Sequence, residues 1–156
     1  MNARAVLLIA LLCATWPAAV WADGDDHECS VATLRGSYGV TFTGTANTPG
    51  GPSQIGGVAR IVFDRYGNLT GTATSNIDGT VLLRRPFVGT YTVAADCTGS
   101  FSRTFTDALD GRATFDMVID DDGREFRTVV TPPPGAPNPA TLTTIGRKQF
   151  SRRSIE

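Results

Sequence analysis

The sequence predicts an all-β protein: an antiparallel up-and-down meander of eight or nine strands closed into a small barrel, with a β-sandwich as the alternative. Three observations carry this. Segments rich in Thr, Val, Phe and Tyr alternate with period two between residues 37 and 150, the pattern of half-buried strands. Short turns, several of them Asp-Gly, separate these segments at intervals of about ten residues, as in a meander. No window sustains helical spacing. A meander of this length leaves long open edges unless it closes, and closure into a barrel removes them.

The chain opens with MNARAVLLIALLCATWPAAVWA, residues 1–22. A positive start at Arg4, an apolar run, Pro17 and small residues at Val20 and Ala22 precede the acidic DGDDHE, which is the grammar of a cleaved secretory signal. A retained membrane anchor is the rival, since Ala5 to Ala22 sits at the lower edge of spanning length; Pro17 and the cleavage-like end favour the signal. Lipid attachment at Cys13 is disfavoured because Leu12 is large where lipoprotein processing wants a small residue. Removing 22 of 156 residues leaves 134, which suits one domain with one core. Both tryptophans, Trp16 and Trp21, leave with the signal. Subtracting Arg4 leaves 13 basic against 15 acidic residues, a formal charge of −2. No basic patch points to nucleic acid, and no membrane span is expected after cleavage.

Residues 23–36 form an N-terminal segment in which HECSVATL has room for one short turn of helix. The barrel domain is expected to fill residues 37–150. SYGVTFTGT sets Tyr38, Val40 and Phe42 on one face; VARIVFD sets Ala59, Ile61 and Phe63 against Val58, Arg60 and Val62. The same period recurs in LTGTATSNI, FVGTYTV, GSFSRTFT, RATFDMVI, REFRTVV and ATLTTIGRKQF, with TVLLRR as a shorter piece. DRYGN (64–68), Asp78-Gly79, DALDG (107–111) and DDDG (120–123) supply the turns, Asp-Gly being suited to the positive φ of tight hairpins. ANTPGGPSQIGG (46–57) and TPPPGAPNPA (131–140) read as loops too long for simple hairpins, either gating a cavity at a rim or tolerated as surface insertions. The tail 151–156 is expected to fray.

Cysteine usage agrees with export. Cys13 lies in the signal, so Cys29 and Cys97 remain, and in an oxidising compartment they most simply form one disulfide. The chain-entropy model values closure of a loop of roughly 70 residues at about 4 kcal/mol, an upper figure. A thiolate metal site lacks partners, because His27 is the one histidine.

Few residues look chemical. Asp120, Asp121 and Asp122 run into Gly123 between two strands, without the alternate oxygen spacing and distant Glu of a calcium loop; they read as a turn. His27 lies in an acidic stretch and reads as a solvated side chain. No zinc spacing, phosphate-cradling glycine loop or nucleotide fingerprint occurs, so no catalytic residue, metal or cofactor is assigned. One residue breaks its pattern: in SFSRTFT, Arg103 shares a face with Phe101 and Phe105. Facing inward, its guanidinium meets a ligand's carboxylate or an internal acid; at a mouth, or past a bulge, it extends into water.

ATLRGSYGVTF resembles the lipocalin opening, with Gly36, Ser37 and Tyr38 on the Gly-x-aromatic pattern and Tyr38 where lipocalins carry tryptophan. The late arginine and long C-terminal helix of lipocalins have no convincing counterpart. Cys29 followed by LRGSY, and GTYTV followed by DCTG, make the mature chain similar to a set of small exported bacterial proteins. Its strand plan is also similar to allene-oxide-cyclase-like barrels.

Three functions fit these readings. The first is a binding barrel holding a small apolar or anionic amphipathic ligand, with Arg103, Tyr38, Tyr91, Phe101 and Phe105 as the binding residues; a narrow barrel filled by its own side chains is the opposing reading. The second is a cofactor-independent cyclase or isomerase, in which Tyr38, Tyr91 and Arg103 polarise a substrate. The third is a structural or interaction protein of the cell envelope.

Overall fold

The computed structural model describes residues 28–48, 50–107, 111–133 and 140–149. The proposed signal, His27, the centre of the second Pro-rich segment and the tail 151–156 lie outside the described residues. Eight strands run in order: β1 (Gly36–Thr48), β2 (Gly51–Phe63), β3 (Asn68–Ile77), β4 (Thr80–Val93), β5 (Thr98–Phe105), β6 (Arg112–Asp120), β7 (Glu125–Val130) and β8 (Thr141–Lys148). Each pairs antiparallel with the next, and β8 returns to β1 through pairs such as Ile145 with Thr41, closing the barrel. The expected meander is therefore a barrel of eight strands.

Period two decides which side chains enter the interior. On β6, Phe115, Met117 and Ile119 are buried while Thr114, Asp116 and Val118 are exposed. On β7, Phe126 and Thr128 are buried and Arg127 and Val129 face out. The interior rings need space, and small residues on neighbouring strands provide it. A Cβ at Gly71 would overlap the ring of Phe87, and one at Gly146 the ring of Phe126. These two glycines are seats for aromatics.

One end is shut. The connections at 64–67, 94–97 and 121–124 lie there together with the N-terminal segment, whose turns are closed by Thr33 N–H to Ser30 O at 2.9 Å and Arg35 N–H to Ala32 O at 3.1 Å. Leu34 from this segment is wholly buried. Cys29 and Cys97 form a disulfide, Cα–Cα 4.9 Å, and Cys29 N–H donates to Ala95 O at 3.0 Å. Beneath the plug, the ring of Phe63 lies 5.4 Å from Tyr38, 4.9 Å from Tyr91 and 5.5 Å from Phe126. Edge-on packing of this kind is favoured by the ring quadrupoles.

The Asp120–Asp122 run is a turn at this closed end. Asp121, Asp122 and Gly123 take φ of 51°, 52° and 75°, and Asp121–Gly123 form a short 3-10 turn between β6 and β7. Gly123 is obligatory in this setting: beyond its positive φ, a Cβ would strike the carbonyl of Thr33.

Two segments differ from expectation. Residues 46–57 are not a long loop: β1 extends to Thr48 and β2 begins at Gly51, paired directly with Thr48. Gly51 has φ 114°, and Pro52 pairs at the hairpin tip opposite Asn47, where a missing N–H is tolerated. Likewise TVLLRR and FVGTYTV are one strand, β4. Between the pairs Ala73–Arg85 and Ser75–Leu82, Thr74 opposes both Leu83 and Arg84, a β-bulge. Arg84 takes φ 46°, and its N–H donates to Thr74 Oγ1 at 3.1 Å.

Candidate functional site

At the other end the β1–β2 and β3–β4 hairpins, β5 and the start of β8 surround a cavity of about 80 Å³. Its floor and walls are mostly apolar, including Phe42, Ile61, Phe87, Phe101 and Phe115. Ser75 and Thr144 add hydroxyls, and Arg85 and Arg103 add charge.

Arg103 enters this cavity because β5 alternates strictly: Phe101, Arg103 and Phe105 all line it. Its guanidinium centre lies 4.4 Å from the ring centroid of Phe105 and 5.6 Å from that of Phe115. Aromatic faces offer a cation partial compensation. Nη1 is nonetheless buried without a hydrogen-bond partner. Burial is the main cause, and the charge of Arg85 the second, that pulls the Arg103 pKa down to about 10. It stays protonated at neutral pH.

Beside it, Arg85 donates through Nε and Nη2 to the two carboxylate oxygens of Asp107, both at 2.6 Å. The Arg85 guanidinium centre is 3.8 Å from the centroid of Phe105. Two guanidiniums thus share one ring. The hydrogen bond to Asp107 raises the Arg85 pKa above its ordinary value.

The five residues expected to bind a ligand divide between the two ends. Arg103, Phe101 and Phe105 are together at the cavity. Tyr38 and Tyr91 lie in the shut end, where their hydroxyls donate to backbone carbonyls: Tyr38 to Gly123, and Tyr91 to Asp64 and, at 2.7 Å, to Val31. Burial pushes both phenols up to about 12. With donors committed and acidity reduced, they hold the plug rather than face the cavity. Arg85 and Asp107 were absent from the expected set. Arg85 shares parity with Phe87 and Tyr91 in RRPFVGTY, a signal as strong as the one that marks Arg103. Among the described residues, no group of three His, Cys, Asp or Glu side chains is placed to hold a metal.

Fold and site together define an eight-stranded up-and-down barrel, plugged at one end, with a small cationic cavity at the other. No protein-family model matches the chain, and no curated protein matches it. Among solved structures it is similar to one described as a redesigned beta barrel, 20% identical, covering 77% of this chain and 95% of that one with a TM-score of 0.49.

Proposed function

We propose that this barrel is an exported binding protein that holds a small, largely apolar molecule with an anionic head in the cavity away from the plug. Arg103 takes the head, and Phe101 and Phe105 pack against the apolar part. One observation carries the reading: the buried Nη1 of Arg103 has no acceptor, in a cavity lined mostly by apolar side chains. A carboxylate would supply the acceptor and a charge-assisted bond, in the usual pattern of an apolar pocket with few polar anchors. The cavity bounds the enclosed part of the guest. At about 10–15 Å³ per water-sized group, 80 Å³ takes about five to eight heavy atoms.

Export is supported by the Cys29–Cys97 bond, which oxidising compartments favour, and by the signal-like residues 1–22. Exposed Thr41, Thr43, Thr70, Thr72, Thr90 and Thr92 around an aromatic interior suit a barrel that faces water, the reverse of a lipid-facing one. The likeness to lipocalin-like barrels belongs to this same reading. The cyclase-like alternative would need Tyr38 and Tyr91 at the cavity, and their hydroxyls are engaged at the other end.

The test is native mass spectrometry of the protein purified from the periplasm or medium, with backbone amide NMR titration using short carboxylic acids. Co-purified anion, or saturable shifts confined to strands around Arg103 and lost in Arg103→Met, would support the reading. A protein free of guests whose cavity amides ignore every carboxylate would end it.

A further inference from the structure

The bulge in β4 ends just before Arg85, whose inward parity with Phe87 it leaves unchanged. Thr74 opposes Leu83 and Arg84 together, and the extra residue resets the alternation, so Leu82 and Arg85 face the interior although they are three apart. Leu83, between them, is 72% exposed. Without the bulge, the residues beyond Arg85 would keep their parity and Leu83 would take the interior place that Leu82 fills opposite Ser75. Arg85, inward by its parity with Phe87, has two donors on the Asp107 carboxylate, with side-chain exposures of 12% and 29% for the pair.

The local charge can now be counted. Arg85 and Arg103 contribute two positive charges over the Phe105 ring, and Asp107 returns one negative. Among these three residues the net is a single positive charge, and the Asp107 carboxylate already holds Nε and Nη2 of Arg85. We infer that the Arg85–Asp107 pair is a specificity device, which sets this site for a singly charged short-chain carboxylate and against dianions and neutral isosteres. This rests on the binding reading above. A second negative charge would enter a partly desolvated mouth facing the Asp107 carboxylate, which repels it. A neutral amide would leave Arg103 uncompensated. Specificity here is built by repulsion as well as attraction.

The experiment uses the disulfide-bonded exported protein, amide NMR titration at neutral pH, and butyrate, butyramide, succinate and monomethyl succinate as probes. Wild type should bind butyrate at least about ten-fold more tightly than butyramide, and monomethyl succinate at least about ten-fold more tightly than succinate. The ester comparison needs no variant and keeps the carbon skeleton. Asp107→Asn raises the local charge to two and should shift the succinate-to-butyrate ratio by about ten-fold toward succinate. Arg85→Met leaves Asp107 facing Arg103 and should weaken butyrate by about ten-fold, although Arg103 is intact. The double variant restores a net single positive charge and should recover the butyrate preference. Equal binding of succinate and its monoester, or a ratio unmoved in both single variants, would overturn the inference while leaving a binding site standing. Absence of binding by all four probes would remove the binding reading itself.

Discussion

Arg103→Met separates a buried charge kept for a guest from one kept for stability. The Arg103 pKa of about 10 lies below an ordinary guanidinium value above about 12. At about 1.4 kcal/mol per tenfold change in proton affinity, holding the cation in the folded protein costs about 3 kcal/mol. Stacking on Phe105 and Phe115 is worth about 1 kcal/mol or somewhat more, and Arg103→Met gives it up. Met retains much of the apolar stem. The variant should therefore be more stable than wild type by about 1–2 kcal/mol, which for a domain of this size raises Tm by about 3–8 °C.

Proton linkage gives an independent check. Because the folded pKa lies below the unfolded one, the unfolded chain binds more protons above pH about 10, and the wild-type penalty fades as pH rises from there. The stability gap between variant and wild type should be flat from pH 7 to about 9 and narrow above about 10. Denaturant melts across this range, on both proteins with the disulfide intact, measure it. A variant less stable than wild type by about 1 kcal/mol would refute the reasoning, since it would mean Arg103 is well paired in the folded state.

Reduction of Cys29–Cys97, which spans 68 residues of sequence, should lower stability by up to about 4 kcal/mol while the far-ultraviolet strand signal persists below the new midpoint; Ellman titration confirms the thiols, and an unchanged midpoint would count against the bond. Replacing Asp120, Asp121 and Asp122 with Asn should change stability by less than about 1 kcal/mol, because Asn also adopts the positive φ found at Asp121 and Asp122. A calcium-dependent Tm in wild type, absent from the triple variant, would contradict the turn. Tyr38→Phe removes the bond to Gly123 O and should cost about 1–2 kcal/mol at neutral pH. The phenol's folded value of about 12 lies above its unfolded one, so its contribution is complete below pH about 10 and is lost as pH rises through about 12. The gap between Tyr38→Phe and wild type should close over that interval, as read by melts at stepped alkaline pH.

The sequence carried the architecture because period two survives in almost every strand, and closure follows from the need to bury edges. It also put Arg103 on one face with Phe101 and Phe105, since β5 has no bulge to disturb its alternation, while leaving open whether that face meets the interior or water. Where alternation is interrupted, legibility ends. The bulge at Leu83–Arg84 depends on one residue adopting φ 46°, a choice that arginine does not announce, so TVLLRR looked like a fragment. At Gly51–Pro52 the composition spoke for a loop, but ladder pairing with Thr48 and Asn47 prevailed. Tyr38 and Tyr91 lay on the correct face; their distance along the barrel from Arg103 was not recoverable, because face and height are separate coordinates and periodicity reports only the first.

Among the described residues, each end holds a buried charged atom without a hydrogen bond. Asp120 Oδ2 at the shut end has the opposite charge of Arg127 at 3.6 Å, whereas Arg103 Nη1 has aromatic rings and a cavity beside it. At the shut end, the interior hydroxyls of Tyr38 and Tyr91 find carbonyl acceptors, the plug is pinned by a disulfide, and rings pack edge-on. At the other end, the described residues leave a guanidinium nitrogen buried without an acceptor and a void beside it. A net penalty of about 1–2 kcal/mol, after stacking on Phe105 and Phe115, is a sizeable fraction of the 5–15 kcal/mol by which domains are stable. Methionine or leucine at position 103 would avoid it and fill part of the void. A barrel whose only task was to be a filled core would gain by that substitution. Retaining Arg103, with an ion pair beside it, is economical only if something with negative charge completes the bond.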